Sequence, residues 1–169
     1  MRMIGVIGPN KENCTSAIYS FGFELGQRLI DLGFSIVCGG KQGIMEAVCK
    51  GARFSEKYVK GKVIGIIPEA TKESANPYCD IIIPTGIGYA RNQIIVNTAD
   101  ILIAVAGGAG TLSEIAFAWQ MNKRVICFTG FDGWSKTLAG KDLDARSEGL
   151  LFEAKTLLEI EMKLQSLFS

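Results

Sequence analysis

Histidine is absent from the 169 residues. That removes Ser–His and Cys–His nucleophile systems and any His-ligated metal site, and no metal site is expected. Proline is scarce, at 4, and no segment repeats with a fixed period, so collagen-like and low-complexity chains are excluded. Neither sign of charge is in excess. The 18 Lys and Arg against 17 Asp and Glu leave +1, without the basic patch or stripe of a nucleic-acid binder. No C-x-x-C pair occurs among Cys14, Cys38, Cys49, Cys79 and Cys127. Their odd number and mostly apolar surroundings predict buried free thiols in a reducing cytoplasm. The apolar run at Met1–Pro9 is too short for a signal peptide. The richer stretch Ile94–Trp119 is broken by Asn97, Asp100, a glycine cluster and Glu114, which argues against a membrane partner.

Glycine, by contrast, is abundant, at 20 of 169 residues, about 12% against a usual 7% or so. Its positions follow the ends of apolar runs. Met3–Ile7, Phe34–Cys38, Lys62–Ile67, Asp80–Ile83, Ile101–Val105 and Arg124–Phe128 read as strands, with a seventh near Leu150–Phe152. Between them, Thr15–Leu32, Gly43 to about Phe54, Ala90–Thr98, Thr111–Met121 and Leu157–Phe168 carry helical spacing of apolar residues. Thr129–Gly140 reads as a loop. Several strands are wholly apolar, which requires burial on both faces. The chain is therefore expected to be one α/β domain over residues 1–169, a doubly wound, Rossmann-like fold with a mainly parallel sheet of about seven strands. Ligands of such sheets sit at the carboxyl ends of the strands.

Four loops at those ends are candidates. Ala106-Gly107-Gly108-Ala109-Gly110-Thr111 leaves the most apolar strand and opens a helix. Bare backbone and free N–H groups there suit a phosphate, and Thr111 adds a hydroxyl. The same residues also read as a tight turn with a Thr111–Glu114 capping box. Gly39, Gly40 and Gly43 form a second loop, with Lys41 a solvated loop lysine or an anion contact. Met45 beside it is a packing residue of the crevice wall. Gly86 and Gly88 precede Arg91 and Asn92. A cation in the first turn of a helix opposes the dipole, so Arg91 calls for an anionic partner, either a ligand phosphate, Glu114 or a surface carboxylate. The first loop, Gly8-Pro9-Asn10-Lys11-Glu12-Asn13, forms part of the crevice wall. Asp100 reads as a structural turn residue, and Trp134 as part of a lid or an oligomer contact.

Taken together, Gly39-Gly40-x-x-Gly43-x-Met45-Glu46-Ala47, Gly65-Ile66-Ile67-Pro68, Arg91-Asn92 and Gly107-Gly108-x-Gly110-Thr111-x-x-Glu114 resemble a known superfamily. It contains the Lonely Guy-type cytokinin-activating phosphoribohydrolases, and its members often carry the label "possible lysine decarboxylase". Gly88-Tyr89-Ala90-Arg91-Asn92 and the run Ala109–Ala116 are closer to its molybdenum cofactor carrier branch. The resemblance spans about residues 3 to 130.

It implies a Rossmann-like homodimer or homotetramer. A nucleotide-like ligand would place its phosphate on Gly107, Gly108, Ala109, Gly110 and Thr111, with Gly8, Gly39, Gly40, Gly43, Met45, Gly88 and Asn92 around it. The leading implied function is a carrier that needs no cofactor of its own and holds molybdenum cofactor as cargo. The alternative is a nucleoside 5′-monophosphate phosphoribohydrolase. There Arg91 and Glu114 would assist N-glycosidic cleavage through an oxocarbenium-like transition state. The hydrolase pattern has Pro-Gly-Gly where this chain has Ala106-Gly107-Gly108, and Arg-Lys where it has Arg91-Asn92. Lysine decarboxylation does not fit, because no Schiff-base lysine motif is visible.

Overall fold

Met3–Ile7, the first apolar run, forms β1, and all five of its residues are buried, as are those of Ile101–Val105 (β5). The computed structural model describes residues 2–169. The other strands are β2 (Ser35–Cys38), β3 (Val63–Ile67), β4 (Ile81–Pro84), β6 (Val125–Phe128) and β7 (Leu151–Ala154). All pairings are parallel, in the order β4-β3-β2-β1-β5-β6-β7. The chain thus winds outward from β1 to β4, returns to place β5 against β1, and winds out the other way.

The helices are α1 (Ser16–Asp31), α2 (Ile44–Arg53), α3 (Arg91–Thr98), α4 (Ala109–Gln120), α5 (Trp134–Leu138) and α6 (Leu157–Leu167). Successive strand residues point to opposite faces, and the apolar residues divide accordingly. Ile4, Val6, Ile36, Ile103 and Val105 pack with Leu25 and Leu29 of α1, Val48 of α2 and Leu164 of α6. Ile7, Val37, Leu102 and Ala104 pack with Ile95 of α3 and Ile115 and Trp119 of α4. Helix ends follow local chemistry. Thr15 caps α1 by accepting from Ile18 N at 3.3 Å. After α1, Gly33 N donates to Ile30 O and Phe34 N to Leu29 O, with Gly33 at φ +87°, a Schellman ending. Thr156 caps α6 by accepting from Glu159 N, and Glu159 in turn accepts from Lys155 N at 2.7 Å.

Some expectations are revised. Residues 129–140 are not a continuous loop, because they contain α5. Ser135 makes that helix possible: its fully buried hydroxyl lies between Ala104 O and Phe128 O, at 2.7 and 2.8 Å, and its one proton is shared by these two acceptors. Trp119 belongs to the core. It is 2% exposed and donates Nε1–H to Asp144 at 2.9 Å. Asp100 accepts from Met3 N at 2.7 Å, a structural bond at the start of β1. Four of the five free cysteines are buried, with Cys14 partly so. No helix among the described residues is long and apolar enough to cross a membrane.

Part of the glycine excess serves packing rather than loops. Helices α1 and α2 meet backbone to backbone, and a Cβ added at Gly26 would overlap Val48 O, while one at Gly51 would overlap Phe23 O. Alanine favours a helix over glycine by about 1 kcal/mol, but overpacking a tight contact costs roughly 1–3 kcal/mol. Because the obstructing atoms are backbone, the helices themselves must separate. Gly26→Ala is therefore expected to destabilise the protein by about 2 kcal/mol, read as a lower urea midpoint.

Candidate functional site

The reversal of strand order opens a cleft between the loops that follow β1 and β5, and its volume is about 500 Å³. One wall is Gly8-Pro9-Asn10 with Asn13. The other is the start of α4, Gly108-Ala109-Gly110-Thr111, with Ser113. Gly39 and Met45 come from the β2–α2 connection, and Tyr89, Arg91 and Asn92 from the start of α3. Of the residues singled out in the sequence, Gly8, Gly39, Met45, Arg91, Asn92, Gly108, Ala109, Gly110, Thr111 and Glu114 meet around this cleft. Gly40, Gly43, Gly88 and Gly107 do not line it; all four have positive φ and shape the turns beside it. Pro9, Asn10, Asn13, Tyr89 and Ser113 also line it. Asn13 belongs to the first loop expected in the crevice wall; Ser113 was given no role of its own, since a short polar residue in a first turn is ordinary.

The anion-binding potential lies at α4. The helix begins at Ala109, two residues earlier than the sequence pattern suggests, with Gly108 as N-cap and no side-chain cap. The Thr111–Glu114 capping box therefore does not form. Thr111 sits inside the first turn, and the early N–H groups of the helix keep the unpaired donors and the positive dipole end that suit an anion. A Cβ on Gly108 or Gly110 would meet nothing within 4 Å, so both face open space.

The loop leading in is held from behind. Ala106 has φ +48° and Gly107 φ +91°. Trp134 N donates to Gly107 O and Ser135 N to Ala106 O, both at 3.0 Å. The start of α5 thus buttresses this loop. Proline locks φ near −65°, so the Pro-Gly-Gly variant of the motif cannot follow the backbone path that Ala106 takes here.

The floor carries the charge. Arg91 is neither an exposed arginine nor paired with a surface carboxylate. It is 9% exposed and lies 3.9 Å (Nη1) from Oε1 of Glu114, itself 6% exposed. A close approach makes this possible, because a Cβ on Gly39 would stand 2.6 Å from both terminal guanidinium nitrogens. Arg91 Nε is buried without a hydrogen-bond partner among the described residues. Burial lowers the Arg91 pKa, opposed by the Glu114 charge. Burial also pushes the Glu114 carboxyl up to about 8, against the opposing pull of Arg91. Glu114 is thus largely protonated at neutral pH, and the pair is an incompletely neutralised cation. Lys41 is not free for an anion, since its Nζ lies 2.5 Å from Glu69 Oε1.

Asn92 joins the two halves. Its Nδ2 donates to Ser113 Oγ at 3.0 Å, and Ser113 Oγ donates to Gly110 O at 2.6 Å. With its proton committed to a carbonyl, Ser113 is a strut between α3 and α4 rather than a nucleophile.

The pKa of Glu114 has a consequence for stability. Its folded value of about 8 lies above the ordinary 4.5. The folded state then holds a proton that the unfolded chain releases, and stability falls as pH rises through that interval. Glu114→Gln removes this loss. Its stability relative to the parent should be near zero at pH 4.5 and increasingly positive towards pH 8.5, measured by urea unfolding across pH.

Comparisons with known proteins agree with this architecture. The model of the SLOG cluster4 family matches residues 1–158. The molybdenum cofactor binding protein of Rippkaea orientalis superposes with a TM-score of 0.85 at 31% identity, covering 99% of this chain and 98% of that one. The molybdenum cofactor carrier protein of Chlamydomonas reinhardtii does so with a TM-score of 0.84 at 29% identity, covering 99% of both. The cytokinin riboside 5′-monophosphate phosphoribohydrolase of Mycobacterium tuberculosis is 33% identical over 99 residues, which are 57% of this chain and 51% of that enzyme.

Proposed function

The chain belongs to the SLOG cluster4 family, and from that premise we propose that it binds a phosphorylated, nucleotide-like compound and serves as a carrier of molybdenum cofactor. The observation that carries this reading is the uncapped start of α4. There Gly108 and Gly110 leave backbone N–H groups open to the cleft, and the buried Arg91 adds positive charge to its floor. The terminal phosphate of molybdenum cofactor fits that end. Asn10, Asn13 and Asn92 supply amide groups of the kind a pterin edge pairs with. The cofactor is cargo in this reading. The two carrier-type structures align over nearly the whole chain, whereas the phosphoribohydrolase aligns over about half its own length. The free thiols fit a cytoplasmic setting. The exposed Ile83, Ile87 and Ile94 favour association with further copies of the chain.

Gly108→Asp tests the reading without disturbing the fold, because φ is −101° there and the space is open. The variant is expected to keep its melting temperature and to lose most of the affinity for molybdenum cofactor and for nucleoside 5′-monophosphates, measured by equilibrium dialysis. Undiminished binding of both would remove the proposal.

A second reading is favoured by Glu114 specifically. A buried, largely protonated carboxyl beside Arg91 can donate a proton to a departing base, and its ionised form can support oxocarbenium charge. As a phosphoribohydrolase, the protein would release free base and ribose 5-phosphate from nucleoside 5′-monophosphates. Glu114→Gln would then lower that rate at least about 100-fold. Release that survives the substitution would exclude the role of Glu114.

A further inference from the structure

We propose that Tyr89 is the platform on which the planar heterocycle of the ligand stacks, so that the cleft selects phosphorylated compounds bearing a flat ring over bare sugar phosphates. This rests on the phosphate-binding reading above and adds to it the source of ring selectivity.

Tyr89 is the aromatic residue among those lining the cleft. Its neighbours there are glycines, asparagines, aliphatic and small residues, Met45 and the Arg91–Glu114 pair, none of which is an aromatic ring, and the Arg91 guanidinium is held in the floor close to Gly39. The side chain of Tyr89 is 87% exposed, and its hydroxyl makes no hydrogen bond among the described residues. By contrast, the partly buried Tyr19 and Tyr58 each hydrogen-bond a carboxylate, Glu46 and Asp80 respectively. A tyrosine with neither packing nor a polar partner keeps its whole face for another molecule.

Its backbone is arranged to present that face. Residues Gly88–Ala90 form a single 3₁₀ turn leading directly into α3. The base of the segment is tied to the end of β3. Thr85 Oγ1 donates to Ile67 O at 2.8 Å, Gly86 N to Glu69 O at 3.0 Å and Gly88 N to Pro68 O at 3.1 Å. The tip is free, because a Cβ on Gly88 would meet nothing within 4 Å. Two residues after Tyr89 the chain turns inward and buries Arg91 at the floor. One short segment thus sets a cation below and an aromatic ring at the rim. A ligand whose phosphate rests on the start of α4 and whose ring lies towards α3 meets both.

Stacking of a base on an aromatic side chain is worth about tenfold or more in affinity. The test measures dissociation constants of three compounds by titration calorimetry: ribose 5-phosphate, adenosine 5′-monophosphate and a phosphorylated pterin. The parent protein should bind at least one ring-bearing compound about tenfold more tightly than ribose 5-phosphate. Tyr89→Ala should abolish that preference and leave the ribose 5-phosphate constant unchanged, and Tyr89→Phe should retain the preference. Sedimentation of Tyr89→Ala should match the parent. Equal weakening of all compounds, an undiminished preference in Tyr89→Ala, or no preference in the parent would overturn the role of Tyr89 while leaving phosphate binding intact. A smaller assembly in sedimentation would assign the ring to contact between copies and overturn it as well. Failure of the parent to bind any of the three would overturn the phosphate reading, and this one with it.

Discussion

At β1 and β5 the chain leaves neighbouring strands towards opposite faces of the sheet. The helix after β1 packs with the Ile4 and Val6 face, and the helix after β5 with the Leu102 and Ala104 face. Two loops that start side by side must therefore diverge, and the gap between them is the cleft. The constraint is topological, so it holds whatever occupies the loops. The residues then decide its chemistry. Gly8 permits the β1 end to lie against Val105 O, and Gly107 permits the turn that starts α4 on time.

The electrostatics of the floor follow from burial. A guanidinium and a carboxyl 3.9 Å apart, both nearly enclosed, do not neutralise one another well. Removing charge from water is costly unless pairing and hydrogen bonding are complete. Here they are incomplete, with Arg91 Nε unpartnered and Glu114 driven towards its neutral form. The arrangement is a standing positive charge at the foot of a helix N-terminus. It suits either retention of an anion or proton transfer next to one, which is why the carrier and hydrolase readings share a single site.

The fold was legible because apolar runs such as Ile101–Val105 must be buried on both faces, and helical spacing such as Ile18, Leu25 and Leu29 marks one face. Loop glycines then pointed to one sheet edge, since all strands of a parallel sheet end there. Local details diverged where the same residues had two possible outcomes. Thr111 and Glu114 have capping-box spacing, but the helix starts earlier and uses them as inner residues. Residues 129–140 are rich in loop formers, yet the bonds of Ser135 to two strands stabilise α5 there. Gly26 and Gly51 gave no readable signal, because a helix–helix backbone contact depends on which helices become neighbours.

Composition and pattern alone thus determined the class of fold, the edge on which the candidate site lies and the residue types available to it once histidine was missing. These are local quantities: periodicity, propensity and residue type. The burial of Arg91 against Gly39, the height of the Glu114 pKa, the Asn92–Ser113–Gly110 strut and the solitary exposure of Tyr89 depend on contacts between residues far apart in the chain. Desolvation and distance set those properties, and both come into being only when β2, α3 and α4 are brought to a common edge.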